Sequence, residues 1–214
     1  PPAPTMAILG RLIMVGGAYR RRCRLGKPEV KGYRRRVTKH IETFKSWSES
    51  IVSDVSALKA LIESTAEPEA RRLAAGALGY LVTRMDLVPD WEGGIGALDD
   101  VMVLRVCAQL ASGHGLGAVG EAHEINLSRM ANEAERISEF LGGAAYDKLR
   151  TYCAKLSETA VRGRTPANVL ADAAARKALF AEVDDEVKKT VPVVITDAAD
   201  AEVRLKAYLS HKLK

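Results

Sequence analysis

The sequence predicts an all-α protein, a bundle of about six to eight helices with no significant β-sheet. Three observations lead there. Ala, Leu, Arg, Lys and Glu dominate while aromatic residues make up only 5%, and these side chains lose little rotamer freedom in a helix. Apolar residues recur at three- and four-residue intervals along most of the chain, the period of one helix face. The one β-branched run, residues 191–195, is isolated and broken by Pro192, too little for a sheet. With 214 residues, 47% hydrophobic and 28% charged, the chain can bury a real core, which excludes wholesale disorder.

The first helix is predicted over residues 37–62. Val37, Ile41, Phe44, Ile51, Val55, Leu58 and Ile62 form its stripe, with Ser48 interrupting it and Trp47 placed to cover the gap. The stripe is near-heptad but has few matched charges, so packing within the chain is expected rather than a coiled coil. A second helix runs over 68–83, with Pro68 suited to the first turn and Leu73, Ala77, Leu78 and Leu81 on its face. A loop rich in acids and glycines follows. The third helix starts near Ala97 and continues through Val101, Leu104, Ala108 and Ala111, before the glycine-rich break at 113–120. Met130, Ala134, Ile137 and Leu141 line the next helix, stopped by Gly142 and Gly143. Tyr146, Leu149, Cys153, Leu156 and Ala160 line another, stopped by Gly163. Thr165 and Pro166 read as N-cap and first-turn residue of a long helix carrying Val169, Ala173, Phe180, Val183 and Val187. The last helix begins near Ala198, carries Val203, Leu209 and Leu213, and ends in basic residues that complement the helix dipole.

Charge is distributed unevenly. Residues 1–39 hold eleven basic side chains against the single acid Glu29, a net +10, while residues 40–214 carry 21 basic and 26 acidic ones, a net −5. The basic residues form two clusters, Arg20, Arg21, Arg22 and Arg24, then Arg34, Arg35, Arg36 and Lys39, around a stretch with Gly26, Pro28 and Gly32 that is expected to be flexible. Before them lies an apolar segment, residues 6–18, which is shorter than the roughly 20 residues a membrane span requires. Its order is also opposite to a secretory signal, where positive charge precedes the apolar run. Clustered Arg and Lys beside an apolar segment suit an anionic membrane surface. The same charges suit nucleic-acid phosphates, although only Tyr19 and Tyr33 are interleaved for base stacking and no nucleic-acid module is visible. A solvated tail, a segment pairing with the acidic remainder of the chain, and a protein partner are the remaining readings. Cys23, Cys107 and Cys153 are too few for a secreted disulfide scaffold and lack metal-clip spacing, so a reducing, cytoplasmic compartment is expected, with Cys107 and Cys153 buried and inert.

The densest polar motif lies at residues 79–104, GYLVTRMDLVPDWEGGIGALDDVMVL. Through Tyr80-Leu81, Asp86-Leu87-Val88-Pro89-Asp90, Gly96 and Leu98-Asp99-Asp100 it resembles the core of the YkvA-like family, small helical domains without an assigned biochemical role. The resemblance covers about an eighth of the chain. Thr83-Arg84-Met85 stands where that family has Ser-Pro, and Glu92-Gly93-Gly94 replaces a proline. These departures alter the loop and leave the acids in place. The resemblance implies a fold and no reaction. On this reading residues 1–36 are a basic, partly apolar leader, 37–112 the YkvA-like helical core, and 113–214 a C-terminal helical part packed on it.

Asp86, Asp90, Asp99 and Asp100 bracket a helix–loop–helix turn. Clustered carboxylates could hold Mg²⁺ or Ca²⁺, both of which prefer oxygen ligands, and such a metal could activate water for hydrolysis. The alternative is structural: Asp86 closes the turn, while Asp99 and Asp100 face the dipole and free N–H groups of a helix start. Arg84 and Arg105, near in sequence, are expected to neutralise these acids. No cofactor is firmly predicted. Residues 115–120 match a dinucleotide fingerprint by letter but follow a helix, so a loop is expected. His123-Glu124 begins like a zinc-protease helix, but Leu127 stands where the second histidine belongs. The sequence therefore favours a non-enzymatic helical scaffold or adaptor over a metal-dependent hydrolase or a nucleic-acid-associated protein.

Overall fold

The computed structural model describes residues 31–83, 87–189 and 192–214, with side chains described from Lys39 onward. The apolar segment 6–18, the cluster Arg20, Arg21, Arg22 and Arg24, and Asp86 lie outside the described residues, as do the side chains of Arg34, Arg35 and Arg36. Nine helices run through the described residues: α1 (Lys31–Ser48), α2 (Ile51–Glu63), α3 (Pro68–Leu81), α4 (Leu98–Ala111), α5 (Glu121–Leu141), α6 (Gly143–Leu156), α7 (Pro166–Ala171), α8 (Ala173–Lys189) and α9 (Ala198–Lys212). None of these residues forms a strand, and the one bridge, Val161 with Arg164, closes a tight turn. The all-α expectation holds.

Helices α2, α3, α4 and α5 close a ring in which each packs on the next and α5 returns to α2. Leu58, Leu61, Ile62, Leu78, Leu104 and Met130 fill it. Helix α6 lies against α3, α4 and α5, α7 and α8 lie against α3, and α9 lies against α1. Because α4 touches α1, α3, α5 and α6, it is buried on almost every side, as its nearly continuous apolar sequence requires. Its two buried charged residues, Asp99 and Arg105, consequently need partners inside the protein.

Two predicted helices are each divided, which accounts for nine rather than about seven. The stripe over 37–62 breaks at Glu49 and Ser50, where the chain turns from α1 into α2. The hydroxyls of Ser48 and Ser50 donate to the carbonyls of Lys45 (2.6 Å) and Trp47 (3.0 Å), and such local bonds compete with the helical ladder. The predicted long helix after Thr165 breaks at Asp172, which is extended (φ −114°, ψ 119°) and accepts from the Ala174 N–H at 2.9 Å, so it caps α8. Upstream, Thr165 caps α7 through a reciprocal pair of bonds with Asn168, as the sequence indicated.

Other differences are local. Helix α6 stops at Leu156 rather than near Ala160, with the Ser157 and Thr159 hydroxyls bonded to the carbonyls of Ala154 and Lys155. In α9, Val203 is 68% exposed and Leu205 takes its place in the core. Gly32, expected in a flexible stretch, lies within α1. Among the described residues no helix is long and apolar enough to cross a membrane.

Candidate functional site

The motif joins the end of α3 to the start of α4, and one buried carboxylate ties the two together. Tyr80, on the last turn of α3, is 2% exposed, and Asp99, on the first turn of α4, is 0% exposed. The Tyr80 hydroxyl donates to Asp99 Oδ2 at 2.5 Å. The Val88 N–H donates to the same oxygen at 3.0 Å, and the Leu87 N–H donates to Tyr80 Oη at 2.8 Å. The backbone at Leu87 and Val88 is thereby stapled to both helices, and their side chains enter the core. Asp99 Oδ1 has no hydrogen-bond partner among the described residues. Burial raises the Asp99 carboxyl to about 7, with the Asp90 charge acting in the same direction against the bonds from Tyr80 and Val88. Burial, and then the Asp99 charge, push the Tyr80 phenol well above its ordinary value.

Gly96 explains itself by close approach. A Cβ there would lie 2.9 Å from Asp90 Cα and from the carbonyl oxygens of Pro89 and Asp90, so the loop folds back on its own backbone where only hydrogen fits. Gly96→Ala is expected to cost about 1–3 kcal/mol through overpacking, seen as a lower urea midpoint; an unchanged midpoint would show that the loop yields freely.

The rest of the loop is held from a distance. Glu92 accepts from the Tyr208 hydroxyl of α9 at 2.6 Å and pairs with Arg204 of the same helix. These two bonds, Tyr208 first, hold its carboxyl below the usual range. Gly94 has φ +82°, and a Cβ on it would lie 2.5 Å from the Val194 carbonyl oxygen. The segment after α8 therefore runs directly against the loop. Between them opens a cleft of about 920 Å³, lined by Asp90, Trp91, Asp100, Arg162, Lys189 and Val194 among others.

The acids singled out in the sequence are thus separated by role. Asp99 enters the core, Asp100 is half-buried along the cleft, and Asp90 is exposed at it. Consecutive helical residues point about 100° apart, which places Asp99 and Asp100 on different sides of α4. Among the described residues no three His, Cys, Asp or Glu side chains are grouped to hold a metal ion. Lys39 of the basic cluster is exposed. Cys107 and Cys153 are both buried, and burial, then contact with Cys107, raises the Cys153 thiol well above its ordinary value. Residues 115–120 form the loop before α5.

Arg105 corrects the sequence expectation. It does not neutralise the motif acids; it enters a buried network with α2 and α5 on another side of α4. Its Nη2 lies 3.2 Å from Asp54 Oδ2 of α2, and its Nε donates to Glu133 Oε2 of α5 at 2.7 Å. Arg129 of α5 pairs with both Asp54 and Glu133, closing a ring of two acids and two arginines. The Arg105 guanidinium also lies 4.3 Å from the Trp47 ring centre. Asp54, Glu133, Arg129, Arg204 and Tyr208 were not singled out in the sequence. A signal existed for Asp54, which falls three residues after Ile51 and four before Leu58, on the apolar stripe. Nothing local marked the others.

Compared with known proteins, residues 70–105 match a family model described as a protein of unknown function (DUF1232). No curated protein and no solved structure matches the chain significantly. The matched stretch runs from the first turns of α3 to Arg105 and contains the Tyr80–Asp99 lock together with the loop it holds. Residues 70–105 are accordingly similar to a small helical domain of unknown function, carried here within a larger all-α bundle.

Proposed function

We propose that the chain is a non-enzymatic helical scaffold or adaptor, cytoplasmic, whose basic N-terminal segment associates peripherally with an anionic membrane surface. The finer assignment of its motif to the YkvA-like family belongs to the same proposal. The observation that carries it is the position of Asp99. This carboxyl is fully buried and spends Oδ2 on Tyr80 and Val88, so the motif's most conspicuous acid serves the hairpin rather than a substrate. The membrane part rests on the two Arg clusters beside an apolar segment, each charge contributing about 1 kcal/mol near an anionic surface.

Flotation of the full chain with anionic and neutral liposomes across a salt series tests the membrane part. Binding is expected only to anionic vesicles and is expected to fade with salt. It should disappear when residues 1–30 are removed and Arg34, Arg35 and Arg36 are changed to Gln. Flotation with neither lipid overturns it, and salt-sensitive retention on RNA or DNA alone reassigns the segment to nucleic acid. A Mg²⁺ and Ca²⁺ titration followed by thermal unfolding tests the scaffold part. No saturable rise in Tm is expected; a rise abolished by Asp90→Asn or Asp100→Asn would instead favour the metal-dependent hydrolase.

A further inference from the structure

The cleft beside the motif loop carries a side chain that the fold does not use. Trp91 is 81% exposed, the one large aromatic left in water among the described residues. A tryptophan can bury about 150–250 Å² of surface, and leaving it outside forgoes that contribution. Val194, 70% exposed, lines the same cleft. Volume places the cleft within the range of sites that accept a ligand or a peptide side chain, about 300–1,000 Å³. Its walls are also fixed in place, because the neighbouring Glu92 is held by Arg204 and Tyr208, and Gly94 abuts the Val194 carbonyl.

Charge selects the occupant. Among the described residues lining the cleft, the carboxylates are Asp90, Glu92, Asp100 and Glu186 and the cations are Arg162 and Lys189, with Glu92 already paired to Arg204. Both cations already face acids: Arg162 lies 3.1 Å from Glu182, and Lys189 lies 3.0 Å from Glu186. Asp90 is exposed and makes no ion pair with any described residue. An exposed indole next to a carboxylate with no ion-pair partner among the described residues is complementary to a side chain with an apolar stem and a positive head.

We propose that this cleft docks a basic peptide segment of a partner protein, with one Lys or Arg side chain lying over the face of Trp91 and its charge directed to Asp90. The proposal rests on the adaptor reading and names the chemistry of what is adapted. Tryptophan is among the residues enriched at the energetic centres of protein interfaces, and electrostatic complementarity supplies orientation.

The test is fluorescence anisotropy with a short labelled Lys–Ala repeat peptide and a Glu–Ala repeat of the same length, added to the full chain. The basic peptide is expected to bind and the acidic one is not. Trp91→Ala and Asp90→Asn are each expected to weaken binding about tenfold without lowering Tm, since both side chains are exposed. Arg162→Gln should leave affinity the same or higher. Equal binding of both peptides, or affinity unchanged in both cleft variants, overturns the proposal. Absence of peptide binding together with absence of a metal-dependent rise in Tm removes this inference and leaves the adaptor reading standing. A metal-dependent rise lost in Asp90→Asn removes both.

Discussion

Replacing Arg105 with Met is expected to destabilise the protein by about 3–5 kcal/mol, the cost of breaking a buried ion pair by removing one partner. Asp54 and the Arg105 side chain are both fully buried, and the guanidinium is surrounded on every side. It reaches Asp54 and Glu133, donates to the Val101 carbonyl at 3.1 Å and to Ser50 Oγ at 3.2 Å, and stacks on Trp47. Burial pulls the Arg105 pKa down while Asp54 and Glu133 oppose that shift, and since a guanidinium stays charged in a protein, it is these acids that offset the cost of burying it. Met fills similar volume but leaves the buried Asp54 carboxylate to Ser50 and Arg129 alone. Arg129 is 32% exposed, so Arg129→Met is expected to cost only about 1 kcal/mol. Urea unfolding of the single variants and of Asp54→Leu with Arg105→Met separates the contributions. The double variant should recover much of the loss, because an apolar pair needs no compensation. If Arg105→Met and Arg129→Met cost the same small amount, the network is not a core element.

This network marks the boundary of what the sequence could disclose. Helical periodicity located every segment of the bundle because a stripe of apolar residues is a local signal, written within a few turns. It missed the two breaks for the same reason. The stripe continues in phase across Ser48 to Ser50 and across Asp172, and only hydroxyl or carboxylate bonds to nearby backbone decide that the chain turns there. The motif was legible as a string, and the placement of Asp99 and Asp100 in the first turn of α4 followed from it. What separates their roles is tertiary. Which of two adjacent aspartates is buried depends on where α3 sends Tyr80, and what neutralises Arg105 depends on how α2 and α5 pack on α4, which no local pattern records. Glu92 presents the same problem, since its partners Arg204 and Tyr208 lie on the last helix.

The stability of the wild type relative to Asp99→Asn is expected to fall as pH rises from about 4 to about 7, by on the order of 4 kcal/mol. The sign follows from the direction of the shift. In the unfolded chain Asp99 titrates at its ordinary value of 3.8, whereas in the folded protein burial raises it to about 7. Between those values the native state binds the proton and the unfolded state does not, so its contribution is full below 3.8 and is lost as pH rises through 7. Above that it is constant. Asn presents one oxygen to Tyr80 and the Val88 N–H and carries no charge to titrate, so this component of the profile should vanish in the variant. Other carboxyls, such as Glu69 and Glu182, are held low by their arginine partners; they weaken both proteins alike in acid and cancel in the difference. Urea midpoints of the two proteins from pH 4.5 to 9 supply the measurement, and parallel profiles would sink the assignment. Tyr80→Phe adds an independent arm. It removes the acceptor of the Leu87 N–H and a donor to Asp99, and is expected to cost about 1–3 kcal/mol for the buried group left unsatisfied. Together the two variants ask whether the motif's central acid is kept to react with something or to remain largely uncharged below neutral pH and hold a hairpin closed. A carboxyl raised by burial, with no access to solvent and a phenol on one oxygen, is suited to the second task.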